Sequence, residues 1–271
     1  VPEGPECRVI GNWLKNRLLP NDSRVAELQF VGVISGRYNK TKGLLKLNPV
    51  TLFPCTITDV RVHGKFIYLV GVPHHIGFTL GMTGNFSPEQ TKYARLRFTF
   101  ATTGDIFFID IRNFGTVRLL TQEQVSEKLS RLGPDPLQET IGEVRLSNQL
   151  IYDPETTLAE FLLDQRNIAG IGNYLKCEIL WHAKLSPHRL TRTLTSEEVH
   201  SLTSAINKVP QMSLECQGAS IRNYVTPTQA KGRFSELFEV YQRQTDRHGH
   251  KVIRETTRDH RSTFWAPAYQ R

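Results

Sequence analysis

The chain opens "VPEGPE", which sets a proline and a carboxylate side by side at Pro2 and Glu3. If Val1 is absent from the mature chain, Pro2 carries a free secondary amine. Such an amine titrates near roughly 8, so a neutral, nucleophilic fraction exists at physiological pH. Adding to a sugar C1′ or an aldehyde, it gives an iminium with no second N–H to lose. That cation draws electrons from neighbouring carbons and eases β-elimination of a phosphate. Glu3 could carry protons to and from the opening sugar ring. A retained Val1 would make the Pro2 nitrogen an amide and block the route, and we expect the natural chain to start at Pro2. The same residues also fit a lead-in without chemistry.

Three further stretches carry reactive or binding side chains. In "RVHGKFIYL" (61–69) a glycine turn precedes Lys65, at the tip of an expected hairpin. A lysine there reaches a phosphate or substrate oxygen as a compact point charge, or is simply solvated. In "DQRNIAGIGNYLKCEILW" (164–181) one helix ends, a Gly-Ile-Gly loop turns, and Asn173 begins a second helix. The unpaired N–H groups of a helix start suit a phosphate. A plain turn between packed helices fits equally well. "LGMTGNF" (80–86) and "DIRNFG" (110–115) supply Met82, Arg112 and Phe114. A flexible apolar chain, a guanidinium and a ring can fill the gap left in a base stack by an extruded nucleotide. Each also reads as an ordinary core or surface residue.

These residues need a scaffold. A short helix over about 4–19 follows from Val9, Ile10, Trp13, Leu14 and Leu18, and Pro20 ends it. β-Branched and aromatic residues dominate 60–70 and 94–115, Arg95–Phe100 alternate polar with apolar as in a half-exposed strand, and His63–Gly64 and Thr103–Gly104 look like turns. "RLGPDPL" (131–137) breaks the pattern. Beyond it, 157–165, 173–184 and 195–212 have helical spacing, and Thr195 with Glu198 forms a capping box. The tail, 238–271, returns to strand-like alternation around a His-Gly turn. The expected class is α+β: a catalytic β-rich domain over 1–132, a hinge over 133–150, a helical domain over 151–237 and a β-hairpin over 238–271.

Thirty-four Lys and Arg against 26 Asp and Glu leave a net charge of +8. Polyanions are natural partners of such a surface, since each neutralised phosphate releases counterions. A basic enzyme with small acidic substrates is the other reading. The longest apolar run, Phe66–Val72, falls well short of the roughly 20 residues a membrane helix needs. No secretory signal pattern is visible at the start. Cys7, Cys55, Cys177 and Cys216 are scattered without a CxxC pair. We therefore expect reduced thiols in an intracellular protein, and neither a disulfide framework nor a thiolate zinc site.

In their order, these stretches resemble the Fpg/Nei DNA glycosylases (formamidopyrimidine-DNA glycosylase and endonuclease VIII). The resemblance runs through "PEGPE" (2–6), "HGK" (63–65), "GMTG" (81–84), "DIRNFG" (110–115), "LGPDPL" (132–137) and 162–181. It continues in "GASIRNY" (218–224) and "RSTFWAPAYQ" (261–270). It implies a β-sandwich flanked by helices, a hinge, and a helical domain with a helix–two-turn–helix element and a β-hairpin finger. A basic cleft between domains would take damaged DNA, double- or single-stranded. The implied activity is a bifunctional glycosylase and AP lyase of base excision repair, acting by β,δ-elimination. Pro2 would be the Schiff-base nucleophile, Glu3 the proton-transfer residue, and Lys65 a contact to substrate phosphate needed for base removal. Asn173 with loop amides, and Arg261 on the finger, would hold phosphates. Met82, Arg112 and Phe114 would fill the void, and Glu6 would help position the damaged nucleotide.

Where most of the family has a four-cysteine zinc finger, this sequence has Thr245, His248, Ala266 and Tyr269. His248, His250 and His260 do not make a convincing tetrahedral set, so no metal and no other cofactor are expected. The segment instead resembles the zincless finger of vertebrate and viral endonuclease VIII-like members, with Phe264 and Trp265 as supports. That likeness implies oxidised pyrimidines, hydantoins and formamidopyrimidines as substrates, and the Arg112–Phe114 loop is nearer Fpg. "VTPTQAKGRF" (225–234) is expected as a flexible loop near the flipped base. A monomer without membrane contact is expected, acting in the nucleus or at a viral replication site. The alternative from another class is a silent binder of damaged DNA on the same scaffold, which would have no reason to keep Pro2, Glu3 and Lys65. A sequence-specific regulator would need a base-reading recognition helix, and none stands out.

Overall fold

The computed structural model describes residues 2–20, 25–34, 54–220 and 225–271. Val1, and the 221–224 part of "GASIRNY", lie outside the described residues. The chain forms two compact units, one drawn from 1–2, 6–131 and 219–232, the other from 3–5, 132–218 and 233–271. Among the described residues no helix is long and apolar enough to cross a membrane.

The first unit holds helix α1 (Gly4–Leu18) from Glu6 onward and strands β1 (Ala26–Val33), β2 (Cys55–His63), β3 (Phe66–Val72), β4 (His75–Thr79), β5 (Gly84–Ser87), β6 (Ala94–Phe100), β7 (Gly104–Asp110) and β8 (Thr116–Leu120). They form one antiparallel sheet in the order β5-β7-β6-β1-β2-β3-β4-β8. Along β6 the period-two pattern sends Leu96, Phe98 and Phe100 inward. β4 is remote from β5 in strand order, yet the Phe78 ring meets those of Phe86 at 5.0 Å, Phe98 at 5.7 Å and Phe108 at 6.0 Å. Only a sheet curled until its ends face each other allows this, and that makes the β-sandwich. Cys7, Ile10, Leu14 and Leu18, three and four residues apart on α1, join the same core. A Cβ at Gly11 would stand 2.1 Å from a Val62 methyl, so α1 packs against β2 at backbone distance. Emptying the Phe78 site to alanine would cost ~3–5 kcal/mol. Helix α2 (Gln122–Ser130) closes the unit, with a capping box from Thr121 and Gln124.

The second unit holds α3 (Glu143–Tyr152), α4 (Leu158–Leu163), α5 (Asn173–His182) and α6 (Ser196–Glu215). Thr157 with Glu160, and Thr195 with Glu198, form the capping boxes of α4 and α6. Residues 133–150, read from the sequence as a hinge, include most of α3, whose Leu146 and Leu150 are buried. Asn207 of α6 brackets the approach to α3, accepting from the Ile141 N–H and donating to its carbonyl.

The tail carries β9 (Ile253–Thr256) and β10 (Ser262–Trp265), paired antiparallel. Their connecting turn is 257–261, not the His-Gly turn expected from the sequence. That earlier turn exists at 246–250, with Gly249 at φ +83°, but it closes only the single bridge Thr245–Lys251. Within that turn the Asp246 carboxylate accepts the His248 and His250 amides.

Candidate active site and nucleic-acid interface

Lys65 lies where the sequence suggested, at the tip of the β2–β3 hairpin, after Gly64 at φ +54° and inside the closing pair His63–Phe66. Phe66 pairs with Thr79 of β4, and Thr79 with Thr116 of β8. The same end of three adjacent strands therefore presents Lys65, the 80–83 turn with Met82, and the 111–115 loop with Arg112 and Phe114. Neighbouring strands are about 4.8 Å apart, so these belong to one rim.

Asp110 knits the rim. Fully buried, it accepts the Thr83 hydroxyl at 2.6 Å and the Gly115 amide at 2.8 Å, while Thr83 Oγ1 accepts the Arg112 amide at 2.9 Å. Gly81, at φ +57°, lies so close to the 114–115 backbone that a Cβ would stand 2.5 Å from the Phe114 carbonyl carbon. The product is an exposed aromatic on a fixed loop. Phe114 is 49% accessible, with the Arg112 guanidinium 4.9 Å from its ring centroid. An apolar ring held in water is informative when its backbone is this constrained.

In the second unit Glu3 is 3% exposed. Its Oε2 accepts the amides of Gly172 (2.9 Å) and Leu175 (3.2 Å), and its Oε1 that of Tyr174 (3.0 Å). It therefore takes amides that the Gly-Ile-Gly loop and α5 would otherwise offer to a phosphate. The carboxylate also complements the positive end of the helix. A Cβ at Gly172 would fall 2.3 Å from Glu3 Cδ, which explains the glycine there. Gly4 donates to the Gly170 carbonyl at 2.8 Å, locking Glu3 to the loop from its other side. Gln165 braces the loop from within, donating to the Leu163 and Ile171 carbonyls and accepting from Gly170.

Asn173 donates from Nδ2 to the Ser262 carbonyl at 2.8 Å, and its Oδ1 is buried without a hydrogen-bond partner among the described residues. This brings Asn173 beside the finger residue next to Arg261, whose own side chain is exposed. Pro2 is buried and, by contacts, belongs to the first unit. Glu6, on the first turn of α1, accepts the Ala219 amide at 2.7 Å and so anchors the start of the 219–232 segment. The Asn85 side chain holds the Val225 carbonyl of the same segment at 2.9 Å.

Of the four positions expected to lack zinc ligands, Thr245 is exposed, and His248, Ala266 and Tyr269 gather around Trp181 of α5. His248 and Tyr269 stack on it at 5.8 and 5.1 Å, while Ala266 is fully buried with Cys177, Val240 and Val252. Asp246 accepts from Trp181 Nε1 (3.1 Å) and His250 Nδ1 (3.0 Å). Burial opposes its ionisation, but these donors outweigh burial and hold the carboxyl below its ordinary value. Phe264 packs on Tyr241 at 5.1 Å, and Trp265 donates its indole N–H to Glu255 across the hairpin. Among the described residues no three His, Cys, Asp or Glu side chains group as a metal site.

Sequence reasoning missed the residues that hold others in place: Asp110, Gln165, Lys176 and Asp259. One signal was available for Lys176. All of Tyr174–Trp181 is buried, so a charge inside that run must have a partner.

Comparison with known proteins places the sequence and its fold. The formamidopyrimidine-DNA glycosylase N-terminal domain matches residues 1–117, and the formamidopyrimidine-DNA glycosylase H2TH domain matches 132–225. The formamidopyrimidine-DNA glycosylase of Heliobacterium modesticaldum is 33% identical, with 100% of each chain covered. The crystal structure of MutM (Fpg) from Thermus thermophilus is 28% identical and covers 99% of this chain and 98% of its own, at a TM-score of 0.86. A Lactococcus lactis Fpg mutant complexed with Fapy-dG-containing DNA shares the fold at 23% identity, 100% coverage of each chain and a TM-score of 0.86. With motifs, fold and relatives in agreement over the whole length, this chain belongs to the formamidopyrimidine-DNA glycosylase family.

Proposed function

We propose that the chain is a DNA glycosylase of base excision repair that removes oxidised bases, formamidopyrimidines among them, and then cleaves the strand as an AP lyase. The family membership and the Fapy-dG-containing DNA named for the Lactococcus lactis protein support the substrate class. In this reading the Pro2 amine adds to C1′ as the damaged base leaves with the glycosidic electron pair. The resulting iminium eases loss of the 3′ and then the 5′ phosphate. Oxidised pyrimidines and hydantoins are further substrates, and the protein acts as a monomer wherever its DNA is repaired.

The observation that carries the reading is the fixed Glu3 carboxylate, one peptide bond from Pro2 and bonded to three amides. Amides of the Gly-Ile-Gly loop and α5 hold this carboxylate in one orientation, from which it exchanges a proton with the opening sugar ring. Lys65 and Arg261 grip phosphates, Asn173 fixes the finger strand beside Arg261, and Glu6 shapes the lesion pocket through the 219–232 segment. Met82, Arg112 and Phe114 occupy the void of the extruded nucleotide. The cluster around Trp181 and Asp246 supports a finger that stands by packing, as in the zincless members.

Borohydride trapping on a duplex with an abasic site tests the nucleophile, using protein whose first residue is verified as proline. A covalent complex is expected. Binding without trapping or strand cleavage would establish a silent lesion binder instead.

A further inference from the structure

The finger that carries Arg261 is a hairpin of two four-residue strands. An isolated two-stranded hairpin is marginal in water, so something outside it must fix the tip. Helix α5 does this. Its Asn173, Lys176 and Cys177, at i, i+3 and i+4, lie on one face. They meet three consecutive residues of β10: the Ser262 carbonyl, the Thr263 hydroxyl and the Phe264 amide.

The strongest of these contacts is ionic. Lys176 Nζ, fully buried, donates to Asp259 Oδ2 at 2.5 Å and to Thr263 Oγ1 at 2.7 Å. The other carboxylate oxygen, Oδ1, accepts the Thr257 hydroxyl at 2.6 Å and the Arg261 amide at 2.9 Å. The Thr257 amide in turn donates to the Arg261 carbonyl at 3.2 Å. Both peptide groups of Arg261 are thus tied to a frame anchored by a cation on α5, while its guanidinium points from an exposed position. Burial opposes ionisation of Asp259, and the Lys176 ammonium with the Thr257 hydroxyl overcomes it. A buried ion pair is a weak source of stability, because desolvating two charges offsets most of their attraction. It does impose one geometry.

We propose that Lys176 and Asp259 are positioning residues for DNA binding: a buried ionic latch that aims Arg261 at a phosphate of the bound strand. The inference rests on the reading of Arg261 as a phosphate grip.

The test is binding of the full chain to a duplex carrying a tetrahydrofuran abasic analogue, over a range of salt. Arg261→Ala, the pair variant Lys176→Met with Asp259→Ala, and the triple combination are compared. Removing both charges together avoids leaving one buried and unpaired. Arg261→Ala and the pair variant should each weaken binding by about tenfold and lower the salt slope by about 0.9, the loss of one phosphate contact. The triple should bind no more weakly than Arg261→Ala. Multiplying losses in the triple, or wild-type binding by the pair variant beside a weakened Arg261→Ala, would overturn the latch and leave the grip intact. Wild-type binding by Arg261→Ala would overturn the grip and the latch with it. Hydrogen exchange of the wild-type protein gives a reading that needs no variant. The Arg261 amide should be protected like the Trp265 amide, and loop-like exchange there would also overturn the latch.

Discussion

Replacing Glu3 by glutamine keeps its shape and removes one acceptor. In the native arrangement Oε2 serves Gly172 and Leu175, and Oε1 serves Tyr174. The carboxamide does best with its oxygen toward Gly172 and Leu175, which turns its NH2 group toward the Tyr174 amide. One buried N–H is then unpaired, at ~1–3 kcal/mol. The charge interaction with the start of α5 is lost as well, worth ~0.3–1 kcal/mol, and relief of a buried charge offsets part of the total. The net loss is about 2 kcal/mol, or a fall in Tm of roughly 4–8 °C for a chain of this size. Melting curves, excision of a formamidopyrimidine and binding to the tetrahydrofuran duplex should be measured on one preparation. Excision should be abolished and binding kept at temperatures well below the melt. A Tm within a degree of wild type would refute the three-bond cap, and unaltered excision would refute the proton-transfer role. Gly172→Ala separates position from chemistry. Its Cβ would stand 2.3 Å from Glu3 Cδ and must push an intact carboxylate aside, so excision should fall here too.

Phe114→Ala should leave Tm nearly unchanged, within about 0.5 kcal/mol, because the ring is half exposed; excision should drop several-fold. A large loss of stability would assign the ring to the core instead. Two groups of α5 set an opposed pH dependence. Burial, reinforced by Arg247 and Lys208, pushes His182 down to about 4 from 6.5. The unfolded chain then binds the proton first, so stability is lost as pH falls from 6.5 toward 4. Burial pushes Glu178 up to about 7 from 4.5, against the Tyr241 and Val240 amides. Its folded value lies above the unfolded one, so stability is lost as pH rises from 4.5 toward 7. The wild type should therefore vary little in Tm between pH 4.5 and 6.5, whereas Glu178→Gln should gain stability as pH rises. Parallel profiles for the two proteins would show that Glu178 does not titrate in this window.

The sequence by itself determined the parts that depend on neighbours within about four residues. The Lys65 hairpin, the alternation of β6, the Thr195–Glu198 capping box and the start of α5 at Asn173 are local consequences of side-chain size, periodicity and caps. Locality also explains the misreadings. Glycine and prolines in 131–137 drew attention from Leu146 and Leu150, four apart on α3, and the Gly249 turn hid the longer ladder that follows it. Tertiary structure alone decided what each candidate residue touches. Glu3 meets amides 169, 171 and 172 positions away, and Lys176 meets Asp259 across 83. No periodicity reaches that far. Burial forbids these charges to go unpaired, but which partner satisfies them is fixed only when the chain has folded back on itself.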